Sequence, residues 1–213
     1  MREPRTLRSG SKLMVPLDAL HPTQITVGAY HVAQKMHVTR RIAPSRRAAF
    51  LDRHRVHVVI GPEHTLYVVD HHHWVRAWHD LGLTHVPAIV RADISYLGER
   101  EFWRWMVERH MVHPYDERGK RRPLKELPVS VHDMRDDPYR SLEAFVQLAG
   151  GYRKVKQAYP DFRWADFFRK HIEGPLDTSE GFAAALVRGF RLAHSARARN
   201  LPGYIGRLAC ASS

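Results

Sequence analysis

VHVVIGPEHTLYVVDHHHWVRAWHDLG, residues 56–82, decides the fold. It opens with a β-branched run, Val56 to Ile60, of the kind that fits a pleated, buried surface. Gly61-Pro62-Glu63-His64 breaks the run as a turn, and Thr65 to Val69 forms a second strand. Asp70 is then placed to cap a helix from His71 to Leu81 that stops at Gly82. A further strand is expected over 84–90. Residues 56–90 therefore read β-turn-β-helix-β, with an acidic residue where strand passes into helix.

Before this unit, residues 1–12 form a polar, basic arm, and Leu13 to Leu17 reads as a short strand. His21-Pro22-Thr23-Gln24 is a turn, because proline holds the residue before it extended. Residues 29–37 and 44–54 carry apolar positions at helical spacing, and Pro44 suits the start of the second helix. After the unit, Leu97 to His110 places Phe102, Trp103, Met106 and Val107 on one helical face. Residues 112–137 hold Pro114, Pro123, Pro128 and a basic run, Arg118 to Arg122, and read as a connecting segment without core positions. Pro138 opens a helix running to Gly150-Gly151, with Leu142, Phe145, Val146 and Ala149 inward. Phe162 to Ile172 and Gly181 to His194 are two more helices. The division is thus a 1–12 arm, an α+β domain with a small mixed sheet over 13–111, a 112–137 connection, and a helical region over 138–213 expected to pack on the first domain.

The chain has 213 residues, enough apolar content for an ordinary core, and no stretch near the ~20 apolar residues a membrane span needs. The positive charge of Arg2 and Arg5 has no apolar region behind it, so it does not read as a secretory signal. Cys210 is the single cysteine, which excludes intramolecular disulfides and multi-thiolate zinc sites, and a reducing cytoplasm is the expected location. The formal net charge is +12, and most of it lies early: eleven basic residues face only Glu3, Asp18 and Asp52 before residue 61. A field of that sign attracts phosphate, on nucleotides or on nucleic acid.

The first amides of a helix lack intrahelical acceptors and sit at the positive end of its dipole, which makes the 70–73 junction a phosphate cradle. Asp70 and His72 are the candidate catalytic pair, the carboxylate taking a proton from water or holding magnesium and the imidazole relaying protons near neutral pH. His71, His73 and Arg76 are candidate phosphate contacts. Consecutive helical residues point about 100° apart, so the three histidines cannot share one ion. A metal would instead need His71 with a histidine from elsewhere, such as His57. The plainer alternative is that Asp70 only caps the helix and the histidines face solvent.

Several stretches together carry a resemblance. Val15-Pro16-Leu17-Asp18-Ala19-Leu20-His21-Pro22-Thr23-Gln24 resembles the opening strand and loop of ParB-like domains. Val68-Val69-Asp70-His71-His72-His73-Trp74-Val75-Arg76-Ala77 resembles their nucleotide-phosphate motif, commonly Asp-Gly-His-His-Arg or Gly-Glu-Arg-Arg. Pro87 to Val90 resembles the strand after it. Asp137-Pro138-Tyr139-Arg140-Ser141-Leu142 and Trp164-Ala165-Asp166-Phe167-Phe168 resemble tracts in the C-terminal half of the ParB-like putative nuclease family. The resemblance, over most of 13–173, implies a ParB/sulfiredoxin-like α+β domain that binds nucleotide phosphates, with ATP or CTP as ligand or substrate. It implies a nuclease or nucleotide phosphohydrolase. A non-catalytic CTP- or ATP-dependent DNA- or protein-binding module and a serine-type small-molecule kinase are the alternatives, because fold alone does not choose among them.

The departures narrow the choice. His71 stands where the family motif has glycine, and Trp74 where it often has arginine. The reactive cysteine of sulfiredoxins has no counterpart here. Gln24 lies where the serine kinases are similar in using an acidic residue, and an amide cannot act as a base. Within the resemblance, the stretch holding His31, Lys35 and His37 approaches the nucleotide, so Lys35 and Gln24 join the candidate phosphate contacts. Trp103, Trp105, Trp164, Phe167 and Phe168 read as core before they read as base-stacking platforms. Tyr115-Asp116-Glu117 could serve as a lid or a metal ligand, and Arg118 to Arg122 could hold DNA backbone or form a solvated loop.

Overall fold

The structure is a computed structural model describing residues 7–156 and 159–206. Cys210 and the first half of the expected arm lie outside them. The fold is α+β, and the chain divides into two compact units: residues 1–27 with 32–136, and residues 28–31 with 137–213.

The first unit is built on a five-stranded mixed sheet of order β1-β6-β4-β5-β2. Its strands are β1 (Lys12–Pro16), β2 (Leu20–Pro22), β4 (Val56–Ile60), β5 (Leu66–Asp70) and β6 (His85–Asp93). β1 runs antiparallel to β6, β6 parallel to β4, β4 antiparallel to β5, and β5 parallel to β2. The short β3 (Thr26–Val27) pairs separately with β7 (Arg135–Asp136). Four helices belong mainly to this unit: α1 (Ala29–Arg40), α2 (Pro44–Arg53), α3 (His72–Asp80) and α4 (Glu99–Glu108). Pro44 occupies the first turn of α2, as its fixed φ favours. Gly82, at φ 76°, ends the helical path after α3.

Alternation along the strands supplies two apolar faces. Val56, Val58 and Val68 pack with Trp74, Val75 and Trp78 of α3. Val59 points the other way, to Phe102 and Met106 of α4. Of the face expected on α4, Phe102 and Met106 are fully buried, whereas Val107 is exposed. Trp103 packs edge-on against Tyr67 and Phe102.

Two expected loops turn out to be structured. The described part of the arm is tied down, not frayed: the Leu7 amide donates to Asp93, and the Gly10 amide donates to the Val90 carbonyl. The connecting segment contributes Val131 and Met134 to the core, because β7 lies beside β3 and needs its neighbours covered. Asp116, offered as a lid or ligand residue, instead closes a tight loop by accepting the amides of Arg118 and Lys120.

The second unit packs α5 (Pro138–Leu148), α6 (Pro160–His171) and α7 (Ser179–Ala193). Asp137 caps α5 by accepting the Tyr139 amide, with Pro138 following it in the first turn. Leu142 and Val146 face inward, while Ala149 is exposed. Trp164, Phe167 and Phe168, expected to face the first domain, pack into this unit's own cluster, where Trp164 stacks on Tyr152 at 4.1 Å.

That cluster encloses a buried acid. Glu143 is 3% exposed; the Tyr152 hydroxyl donates to its Oε2 at 2.7 Å, and Arg140 Nη1 stands 3.9 Å from Oε1. Burial, reinforced by the charge of Asp161, pushes the carboxyl up from 4.5 to about 8 despite Arg140. A raised folded pKa means that Glu143 stabilises the fold as the neutral acid. This contribution is complete below pH 4.5 and is lost as pH rises through about 8. Stability should therefore fall across that window by a few kcal/mol at most, and Glu143→Gln should flatten the profile and raise the unfolding midpoint at its alkaline end. Thermal unfolding followed against pH checks this; a wild-type midpoint that climbs with pH across the window contradicts it.

Candidate functional site at the β5–α3 junction

β5 ends on Asp70, and α3 begins at His72. Between them His71 adopts the left-handed conformation, φ 72° and ψ 26°. It is His71, not Asp70, that occupies the capping position, and no side chain caps the helix. Asp70 is still paired in the sheet, so its carboxylate cannot reach the amides of the first helical turn. Its Oδ1 accepts the His71 amide at 2.7 Å. The left-handed turn accounts for glycine at this point of the family motif, since only glycine enters that region without a Cβ penalty. A non-glycine residue there costs on the order of 1 kcal/mol or more and must be held by its surroundings.

His71 is held by its ring. Nδ1 lies 3.0 Å from the carbonyl of His54, which follows α2. A carbonyl only accepts, so Nδ1 carries a proton here, and in the neutral ring the bare nitrogen is Nε2. The ring stacks on His57 of β4, centroids 5.0 Å apart.

His57 reaches this place through a β-bulge. Val58 pairs with Val68, but His57 pairs with Asp70, so Val69 and Asp70 together oppose His57. Without the extra residue, Val69 would stand opposite His57. With it, His57 Nδ1 lies 3.5 Å from Asp70 Oδ2. One ligand atom from each of His57, Asp70 and His71 falls within 4.8 Å of the other two. The Asp70 side chain is 60% exposed, so the group opens to solvent.

A second bulge adds a cation. β4 pairs Val58 with Val90 and Val59 with Ala92, leaving Arg91 unmatched in the ladder and exposed. Its charge is felt at His57. Burial foremost, then the His71 and Arg91 charges, lower the His57 pKa against the opposing pull of Asp70. For Asp70, partial burial alone would raise the carboxyl. The charge of His71, the His71 amide and the His57 and His72 charges outweigh it and hold the group below its ordinary value.

The remaining candidates lie elsewhere. His72 is buried at 7% exposure, and its Nε2 accepts the Thr23 amide at 3.2 Å, so it fastens the loop after β2 to α3 and is not an open proton relay. His73 is half-buried and outside the converging group. Arg76 is committed to Asp80 at 3.0 Å and to the Met134 carbonyl at 2.8 Å, which removes it as a phosphate clamp. Lys35 lies over the Trp74 ring, 4.5 Å from its centroid. Gln24 is buried, its backbone bridged to His113. A cleft lined by Thr39, Arg40, Arg47, Asp80, Leu81 and Leu83 does not include the junction residues. Arg91 was not among the sequence candidates, and His57 entered only as a partner for His71. The available signal was a polar residue inside the β-branched run Val56 to Ile60.

A mixed sheet with a strand-to-helix turn of this make-up defines a domain of the ParB-like class. The family model described as "Putative ParB-like nuclease" matches residues 13–170, and the chain belongs to that family. It is also similar to protein Atu1540 from Agrobacterium tumefaciens, whose crystal structure superposes with a TM-score of 0.84 at 39% identity, covering 93% of this chain and 100% of that one. No curated protein matches it. Among the described residues, no helix is long and apolar enough to cross a membrane.

The different placements of His72 and Asp70 give opposite expectations. His72→Ala removes a buried ring and strands the Thr23 amide, and should cost roughly 2–3 kcal/mol. Asp70→Ala, at an exposed position, should cost about 1 kcal/mol or less. Equilibrium urea unfolding measures both; equal losses would contradict the assignment of His72 to the scaffold.

Proposed function

We propose that this protein hydrolyses phosphodiester bonds of nucleic acid at the β5–α3 junction. What carries the reading is the convergence of Asp70, His57 and His71 at an exposed strand end beside the start of α3, with Arg91 adjacent. The cluster holds and activates a water. The water oxygen bonds to phosphorus as the bond to the departing sugar oxygen breaks; the water's proton leaves through the cluster, and the departing oxygen takes one up. Arg91 and the helix dipole offset charge on the phosphoryl oxygens.

A polymer suits the surface better than a free nucleotide. Arg40, Arg41, Arg46, Arg47 and Arg53 are all exposed along the segment that ends at His54, the residue hydrogen-bonded to His71. Arg46 and Arg47 lie about 12 Å along the α2 direction from His54, at 1.5 Å per residue. Serine-type phosphoryl transfer draws no support, because Gln24 is a buried amide.

Asp70→Asn should abolish cleavage of labelled single- and double-stranded DNA and RNA while the protein stays folded. Undiminished turnover would reject the site, and nucleotide or nucleic-acid binding without any product would reject hydrolysis in favour of a binding module. In a separate measurement, Arg46→Glu with Arg47→Glu should weaken nucleic-acid binding and reduce the slope of log K against log salt by roughly 1.5. An unchanged slope would place the polymer on another surface.

A further inference from the structure

We propose that His57, Asp70 and His71 form a binding site for one divalent transition-metal ion, with zinc the best-matched probe and magnesium a poor one. The inference deepens the hydrolytic reading by naming the cofactor class at that site, but the binding itself is measured without substrate.

The donor set decides the metal class. Two imidazole nitrogens and one carboxylate oxygen suit zinc and its first-row neighbours, whereas magnesium prefers oxygen ligands and retained waters. The magnesium that the sequence suggests at Asp70 suits this donor set less well, because two imidazoles flank the carboxylate. Three protein ligands with solvent access on the carboxylate side is the pattern of zinc sites that keep a position open for water.

The geometry is close to that required. Tetrahedral zinc, with bonds of about 2.0–2.1 Å, sets its ligand atoms about 3.3 Å apart. His57 Nδ1 and Asp70 Oδ2 already stand at 3.5 Å, and all three ligand atoms lie within 4.8 Å. Closing the remainder takes about 1.5 Å at most, within reach of side-chain rotation at a surface.

The orientation of His71 is the independent observation. A metal-binding histidine usually donates its second ring N–H to a carbonyl or carboxylate, which fixes its tautomer and aims the other nitrogen at the ion. His71 Nδ1 donates to the His54 carbonyl at 3.0 Å, so Nε2 is the nitrogen prepared for a ligand. The left-handed backbone at His71 and the bulge opposite His57 are the two local irregularities that bring these rings together.

The test uses the full chain, freed of metal by chelator, with zinc chloride as titrant in calorimetry and elemental analysis after dialysis. Cobalt(II) provides a spectroscopic check through its visible absorption. One zinc per chain is expected, with a low-coordinate cobalt spectrum and no competition from millimolar magnesium. His57→Ala, Asp70→Ala and His71→Gly should each weaken zinc binding roughly 100-fold or more. His71→Gly matches the left-handed backbone, so it avoids the strain that a bulkier replacement keeps. His79→Ala, outside the cluster, should leave affinity unchanged and controls for adventitious binding by the chain's 16 histidines. Absence of stoichiometric binding, or binding that survives all three cluster variants, overturns the proposal. The two readings also separate: zinc bound with no cleavage keeps the ion site and removes hydrolysis, whereas cleavage by a chain that binds no zinc keeps hydrolysis and removes the ion site.

Discussion

A single hydrogen bond, from the His71 imidazole to the carbonyl of His54, ties together the end of α2, the start of α3 and the edge of the candidate site. The backbone at His71 sits in a region that side chains avoid, at a cost a helix start does not ordinarily bear. The ring's bond to His54 and its stack on His57 offset that cost. They also dictate which nitrogen faces outward. The chemistry available at the junction follows from this constraint more than from the number of histidines in the motif.

The two bulges opposite β4, one in β5 and one in β6, both lie beside the cluster. In a regular ladder, strict alternation would set valine opposite His57 and turn Arg91 with its neighbours. Each bulge adds one residue: the first sets Asp70 instead of Val69 opposite His57, and the second leaves Arg91 out of the ladder. The core tolerates this because Val56, Val58, Val59 and Val68 still fill both faces. The scaffold and the polar cluster are therefore made by the same strands, with irregularity confined to where the cluster stands.

How much of this was legible in the sequence depends on the kind of signal. β4, β5, α3 and β6 could be read from β-branched runs, a Gly-Pro turn and a terminal glycine, because those signals are local. The place of Asp70 and His71 at a strand-to-helix junction could be read as well. That Asp70 does not cap the helix could not, since whether a carboxylate reaches the helix amides depends on where sheet pairing ends. Arg76 looked like a phosphate ligand because it lies one turn into α3. Its partners, Asp80 and the Met134 carbonyl, include a residue 58 positions away, beyond any local reading. His72 escapes a local reading for a related reason: of three consecutive histidines it is the one that turns inward, where its partner Thr23 lies 49 residues earlier.

The most direct measurement is the protonation pattern of the imidazole nitrogens in the metal-free protein, read from long-range proton–nitrogen NMR correlations at a pH where the rings are neutral. The geometry predicts His71 and His72 both protonated on Nδ1, with Nε2 bare: that of His71 left over by the bond to His54, that of His72 bound to the Thr23 amide. A His71 ring protonated on Nε2, the usual form of a free imidazole in water, would mean that the bond to His54 does not exist and that the cluster is not organised as described.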